Sequence, residues 1–226
     1  MKRTLTLSIG LIGVLFFTAC KRHDSISVDQ NRIYSEYEYK YSAETNKSTA
    51  SAVFRMDHSN GNKIQLSYPS LIKFSGQNMP YRSLMGSYQV EVFGTNSGGQ
   101  FEYSNNEGQS FINEARILSP VDIPFGLTTI SQNGNFFLPW TGGALEPGEM
   151  ITVRISGASG SRSFSTSQVG STHVILDANG LQAIGPGNAT LQISRTRTEA
   201  ISQATIAGGL LSSTYEGRKY NIAITM

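Results

Sequence analysis

Apolar and polar positions alternate with a period of two along most of this chain, and nowhere do they hold a helical period for long. In residues 34–41 the side chains of Tyr37, Tyr39 and Tyr41 fall on one face of an extended strand, and those of Glu36, Glu38 and Lys40 fall on the other. Comparable runs predict strands at 50–56, 63–68, 71–74, 88–93, 101–103 and 111–118. Turn signals separate them: Ser59-Asn60-Gly61-Asn62, Ser75-Gly76-Gln77-Asn78, Asn96-Ser97-Gly98-Gly99 and Asn105-Asn106-Glu107-Gly108.

Pro120 and Pro124 then interrupt the pattern, which places a linker at residues 119–124. Beyond it the strands are clearer. Residues 136–140 and 172–176 form apolar runs, Ile151, Val153 and Ile155 alternate with Thr152 and Arg154, and Pro147-Gly148 lies in the connection between strands. Ala189, Leu191 and Ile193, and later Tyr220, Ile222 and Ile224, repeat the alternation. Residues 178–184 allow one helical turn, stopped by Gly185-Pro186-Gly187. About seven strands in roughly 100 residues is the immunoglobulin-like count. The expected fold is all-β: two consecutive antiparallel β-sandwich domains, residues 32–118 and 125–226, the second immunoglobulin-like.

The N-terminus follows different rules. Lys2 and Arg3 precede a mainly apolar run at 5–17, too short to remain as a transmembrane helix, and the polar Lys21-Arg22-His23-Asp24 follows at once. Residues 1–19 therefore read as a signal peptide. The single cysteine of the chain, Cys20, stands directly after the small pair Thr18-Ala19. Phe17-Thr18-Ala19-Cys20 resembles the lipobox of bacterial lipoproteins, with Phe17 in the position usually held by Leu. The resemblance implies acylation of Cys20, which becomes the new N-terminus and carries enough lipid to hold the chain on a membrane. Residues 20–31 then form the lipidated N-terminus and a polar tether. An exported chain with one cysteine has no internal disulfide, so its fold rests on packing.

The formal net charge of +2 comes from the signal, since Lys2 and Arg3 are lost with it, and the mature chain is neutral. No basic block remains to neutralise phosphates, so nucleic acid is not an expected partner. Charged residues make up 15% of the chain where about a quarter is usual. That balance, with 23 glycines, suits an exported protein of strands and turns.

Leu138-Pro139-Trp140, Pro147-Gly148, Ile151-Thr152-Val153-Arg154-Ile155, Ala189 to Arg195 and Tyr220 to Ile224 together resemble the immunoglobulin-like C-terminal domain of two-domain lipoproteins from Bacteroidetes-type Gram-negative bacteria. Ile64, Leu66, Phe74-Ser75-Gly76 and Phe101-Glu102-Tyr103, followed by Asn105-Asn106-Glu107-Gly108, are similar to the sandwich preceding it. The resemblance implies a fold and a place on the outer membrane, at its periplasmic or its cell-surface face. It brings no catalytic residue. In such lipoproteins an acidic run after the cysteine directs surface export, and Lys21-Arg22-His23-Asp24 is not such a run.

Candidate chemistry is sparse. His23, His58 and His173 are far apart in sequence, and no nucleophile elbow, zinc-protease helix or phosphate loop is present. No catalysis and no cofactor are expected. Asp57-His58-Ser59-Asn60-Gly61-Asn62 offers oxygen ligands, and Asp177-Ala178-Asn179-Gly180 begins like a calcium loop. From Asp177, however, the sixth position is Gln182 rather than Gly and the twelfth is Asn188 rather than Glu. Turn formation accounts for these residues, and no metal is expected. Trp140 is expected in the interior. Tyr37, Tyr39 and Tyr41 are either core or an exposed platform for sugar rings or a partner strand. Asp24-Ser25-Ile26 resembles the Bacteroidetes O-glycosylation site, which implies a glycan on Ser25.

The function expected is that of a membrane-anchored lipoprotein with a binding, adhesion or envelope-organising role. The alternative is a carbohydrate-capturing or hydrolase-accessory lipoprotein. Either way the membrane is engaged through the lipid anchor, and a glycan or protein is the ligand.

Overall fold

The alternation of residues 34–41 is realised as a strand with one face fully buried, and the same rule builds most of the chain. The computed structural model describes residues 23–94 and 98–226. The expected signal peptide and Cys20 lie outside the described residues. The first half contains β1 (His23–Asp24), β2 (Ile33–Ser42), β3 (Lys47–Met56), β4 (Lys63–Gln65), β5 (Leu71–Phe74), β6 (Gln77–Asn78), β7 (Tyr81–Arg82), β8 (Ser87–Phe93), β9 (Gly99–Ser104) and β10 (Ser110–Ala115). The second contains β11 (Thr129–Ser131), β12 (Phe136–Pro139), β13 (Glu149–Gly157), β14 (Gly160–Thr166), β15 (His173–Leu176), α1 (Ala178–Ile184), β16 (Gly187–Ala200) and β17 (Gly209–Thr225). The fold is all-β, with sandwich packing in both halves.

One main sheet runs through both halves in the order β1-β4-β3-β2-β17-β16-β13-β14, with β8 also pairing β3, and β11 pairing β17. In the first half this sheet faces a second one, β10-β9-β5-β6. Aromatic rings fill the space between them. Tyr37 stacks on Phe101 at 4.7 Å, Tyr39 on Phe74 at 5.4 Å, and Phe54 meets Tyr103 at 4.6 Å. In the second half the main sheet faces β12-β15 and α1. Leu138, Val174, Leu176, Leu181 and Ile184 pack there against Ile151, Val153, Ile155, Leu191, Ile193 and Ile222. The second half has seven strands, β11 to β17, of which β11 and β14 are not among the runs read from the sequence.

The tyrosine stripe is therefore core. Tyr37, Tyr39 and Tyr41 are 2%, 1% and 7% exposed, which corrects the platform reading. Their phase along β2 points Tyr37 and Tyr39 at the second sheet and packs Tyr41 on Tyr215 of β17, and the charged phase takes the solvent side. Burial pushes the Tyr37 and Tyr103 hydroxyls well above the usual tyrosine range. It also pushes Tyr88 up to about 12, despite the opposing hydrogen bond that its oxygen accepts from the Leu66 N–H. The fold thus favours neutral tyrosines. That stability is fully present below a pH of about 10 and is lost as the pH climbs through the raised folded values. On alkaline titration these tyrosines are expected to ionise together with loss of β-sheet circular dichroism. Gradual tyrosinate absorbance with the sheet intact would contradict a buried aromatic core.

Two segments expected outside the domains are folded into them. The tether reading of residues 20–31 holds for none of the described part. β1 pairs in parallel with β4, Val28 is buried in the first core, and the buried Gln30 amide donates to the Ser25 carbonyl at 2.8 Å and the Val28 carbonyl at 2.7 Å. Local hydrogen bonds order this stretch, so it needs no apolar period. The expected linker at 119–124 places Val121 and Ile123 in the second core, and Asp122 bridges to Thr141.

β16 and β17 belong to both halves. β17 pairs with β16 along its length, with β2 in parallel from Gly209 to Glu216, and with β11 from Ala223 to Thr225. A register shift opposite Ile193 marks a β-bulge at the crossing. Leu211 and Ser213 face inward before it, and Ile222 and Ile224 after it, so the buried phase changes from odd to even. The extra residue keeps both ends of β17 on the core side of one sheet. Gly217 sits at the bulge, where an added Cβ would meet the Ile193 and Val121 carbonyl oxygens at 3.1 Å.

Candidate functional site

Where the two cores meet, the inward phase of β16 turns from aliphatic to charged. Ala189, Leu191 and Ile193 are followed by Arg195, 1% exposed. Its Nη1 donates to Glu149 Oε2 at 3.2 Å, and its Nη2 donates to the Gly143 carbonyl. Glu149 opens β13 and is itself buried; the Glu146 N–H donates to the same carboxylate oxygen at 3.1 Å. Trp140, interior as its apolar setting suggests, donates Nε1–H to the Gly143 carbonyl at 3.2 Å. The 142–149 connection is thus clamped over the end of the second core. Arg195 Nε is buried without a hydrogen-bond partner among the described residues.

A cleft of about 380 Å³ opens beside this pair. Arg116 and Leu118 from the end of the first half form one wall, and Glu146, Glu149, Arg197 and Glu199 form the other. Arg197 Nε lies 3.3 Å from Glu199 Oε2. The cleft therefore presents both signs of charge, mostly self-compensated, and no histidine. Its chemistry suits ion-pairing to a polar ligand or a protein segment, with the Ser119 and Ser213 hydroxyls among its lining. A second concavity, shallower and about 610 Å³, lies on the outer face of the second sandwich. Ser156, Asn188, Thr190 and Asn221 line it with hydroxyls and amides.

The residues singled out in the sequence are dispersed. Cys20 lies outside the described residues. Ser25 is fully buried, and its Oγ accepts from the Ser67 N–H at 2.9 Å. No glycan fits on a hydroxyl so enclosed, which corrects the modification reading. The Asp24 carboxylate is held below the usual range by hydrogen bonds from Ser67 and from the Ile26 N–H, so Asp24-Ser25-Ile26 is a structural turn. Asp57 is engaged by Arg32 through two hydrogen bonds of 2.7 Å, and His58 is exposed, its Nδ1 accepting from the Asn60 N–H at 3.2 Å. Neither faces a nucleophile. Asp177 caps α1 by accepting from the Gly180 N–H at 2.8 Å. Among the described residues no group of three or more His, Cys, Asp or Glu could hold a metal ion, and no helix is long and apolar enough to cross a membrane.

Sequence reasoning missed the Glu149–Arg195 pair. The signal was available: an arginine continuing the buried phase of Ala189, Leu191 and Ile193 requires a buried acceptor.

No family model and no curated protein matches the chain. Among solved structures it is similar to one described as bearing on host cell surface retention of a 1.5-MDa bacterial ice-binding adhesin, at 14% identity and a TM-score of 0.23. The match covers 81% of this chain and 63% of that one. Another is a Salmonella alpha-2-macroglobulin mutant, at 10% identity and a TM-score of 0.24, covering 85% of this chain and 14% of that one. The chain thus spans less than two thirds of each, and likeness at this level carries no argument about function.

Proposed function

We propose that this protein is a lipid-anchored envelope protein that acts by binding, in adhesion or in organising the envelope, and that it performs no catalysis. The observation that carries the reading is Phe17-Thr18-Ala19-Cys20 after a basic and then an apolar segment, followed within three residues by the first strand of a folded unit. A thiol at that place has a use as an acylation site and none in an internal disulfide. Binding falls to the mixed-charge cleft between the cores, whose walls come from both halves and so depend on their joint fold. The same reading puts the protein on the outer membrane. Glycan capture has lost its motive, because the tyrosines that suggested it are buried.

Cys20→Ala tests the anchor. The wild-type protein is expected in the membrane fraction, resistant to carbonate and high salt, and the variant in the soluble fraction. Protease treatment of sealed cells then separates a surface from a periplasmic location. A Cys20→Ala protein retained on membranes as firmly as wild type would overturn the reading.

A further inference from the structure

β1 is the outermost strand of the main sheet, at the end of the strand order opposite β14. Only Lys21 and Arg22 separate it from Cys20, and an extended chain covers at most about 3.6 Å per residue. A lipid on Cys20 therefore brings His23, where β1 begins beside β4, to within roughly 11 Å of the bilayer surface. That edge is unusually apolar for an exposed one. Ile26 is 65% exposed, Tyr68 90%, Leu84 101% and Met85 63%.

These four belong to one neighbourhood. The Ser67 N–H bonds to Ser25 Oγ, which places Tyr68 beside Ile26. His23 pairs with Ile64, and the preceding Lys63 donates from Nζ to the Met85 carbonyl at 2.6 Å, which draws the β7–β8 connection to the same edge. Lys63 and the exposed Arg82 add positive charge there, against the carboxylates of Asp24 and of Glu91, the latter 3.5 Å from Lys47 Nζ. Exposed aliphatic and aromatic side chains flanked by Lys and Arg suit the boundary between lipid headgroups and acyl chains.

We propose that the edge carrying Ile26, Tyr68, Leu84 and Met85 rests on the leaflet that holds the Cys20 anchor. The inference rests on the lipoprotein reading and adds an orientation to it. The first sandwich lies on the bilayer, the second projects away, and the junction cleft is held at a fixed height instead of swinging on a tether.

The test uses the full-length acylated protein in phosphatidylethanolamine–phosphatidylglycerol vesicles whose acyl chains carry bromine. Leu84→Trp places a fluorophore at the edge, and Phe137→Trp places one on an exposed strand of the second sandwich. Both positions are on the surface, and the buried Trp140 supplies a constant background. Leu84→Trp is expected to shift to the blue and be quenched several-fold by the brominated lipid, and Phe137→Trp to be unaffected. A protein that floats with the vesicles while Leu84→Trp stays unquenched would overturn the docking and leave the anchor standing. A protein that does not float overturns both.

Discussion

Arg195→Ala is expected to lower the free energy of unfolding by about 3–5 kcal/mol, read from urea denaturation followed by circular dichroism. The side chains of Arg195 and Glu149 are 1% and 4% exposed, so the pair is screened by almost no water. Removing the guanidinium leaves the Glu149 carboxylate buried with the Glu146 N–H as its remaining hydrogen bond, and that uncompensated charge dominates the loss. It also strips Gly143 of one of its two donors, which loosens the 142–149 connection over the second core. Replacing both charges, Arg195→Met with Glu149→Leu, is expected to recover most of the stability, because the desolvation penalty disappears with the second charge. A loss below about 1 kcal/mol for Arg195→Ala would mean that the pair is hydrated like a surface ion pair.

Phe101→Ala is expected to cost a similar amount, about 3–5 kcal/mol, at the centre of the other core. Phe101 is fully buried, stacks on Tyr37 with planes 9° apart and meets Phe74 edge-on at 4.9 Å. Two rings lose a partner at once, and a rigid β-sandwich collapses little into the space left behind. The two substitutions lie in different cores, yet both should displace one and the same unfolding transition. β16 and β17 carry backbone hydrogen bonds through both halves, and the connection between them docks on the first sandwich. There Asn113 Nδ2 donates to the Gln203 carbonyl at 2.9 Å, and Gln203 Oε1 accepts from the Ile112 N–H on the edge strand β10. Two separate transitions, with only one moving in each variant, would contradict that continuity.

The sequence made the short-range structure legible wherever one face of a strand is uniformly apolar. β2, β3 and β13 are examples, and the helical turn at 178–184 stands where its N-cap Asp177 and its terminating Gly185 put it. It hid the lengths of β16 and β17, expected only around 189–193 and 220–224, because their inward positions at the junction are Arg195 and Ser213. A polar residue in the buried phase ends an apolar pattern without ending the strand. The union of the two halves was hidden for another reason. It rests on parallel pairing of β2 with β17, whose partners, such as Ser35 and Gly209, are separated by about three quarters of the chain, and register between such distant segments leaves no local trace. One trace was present: the inward phase passes from Leu211 to Ile222 with a change of parity, the mark of a bulge.

The candidate cleft was illegible for the same reasons, since Arg116 and Arg197 come together only through the shared strands. The tyrosine stripe was legible as a face but not as a buried one. What decides it for Tyr37 and Tyr39 is the sheet packed opposite, whose Phe101 and Phe74 supply the partner rings, and for Tyr41 it is Tyr215 of β17.

The central claim is that the folded chain is tied to a membrane by lipid on Cys20. Its most direct test is mass spectrometry of the N-terminal peptide of protein extracted from membranes. The account predicts a peptide that starts at Cys20 and carries the added mass of its acyl groups. A peptide that starts elsewhere, or one that contains Cys20 as a free thiol, would contradict it.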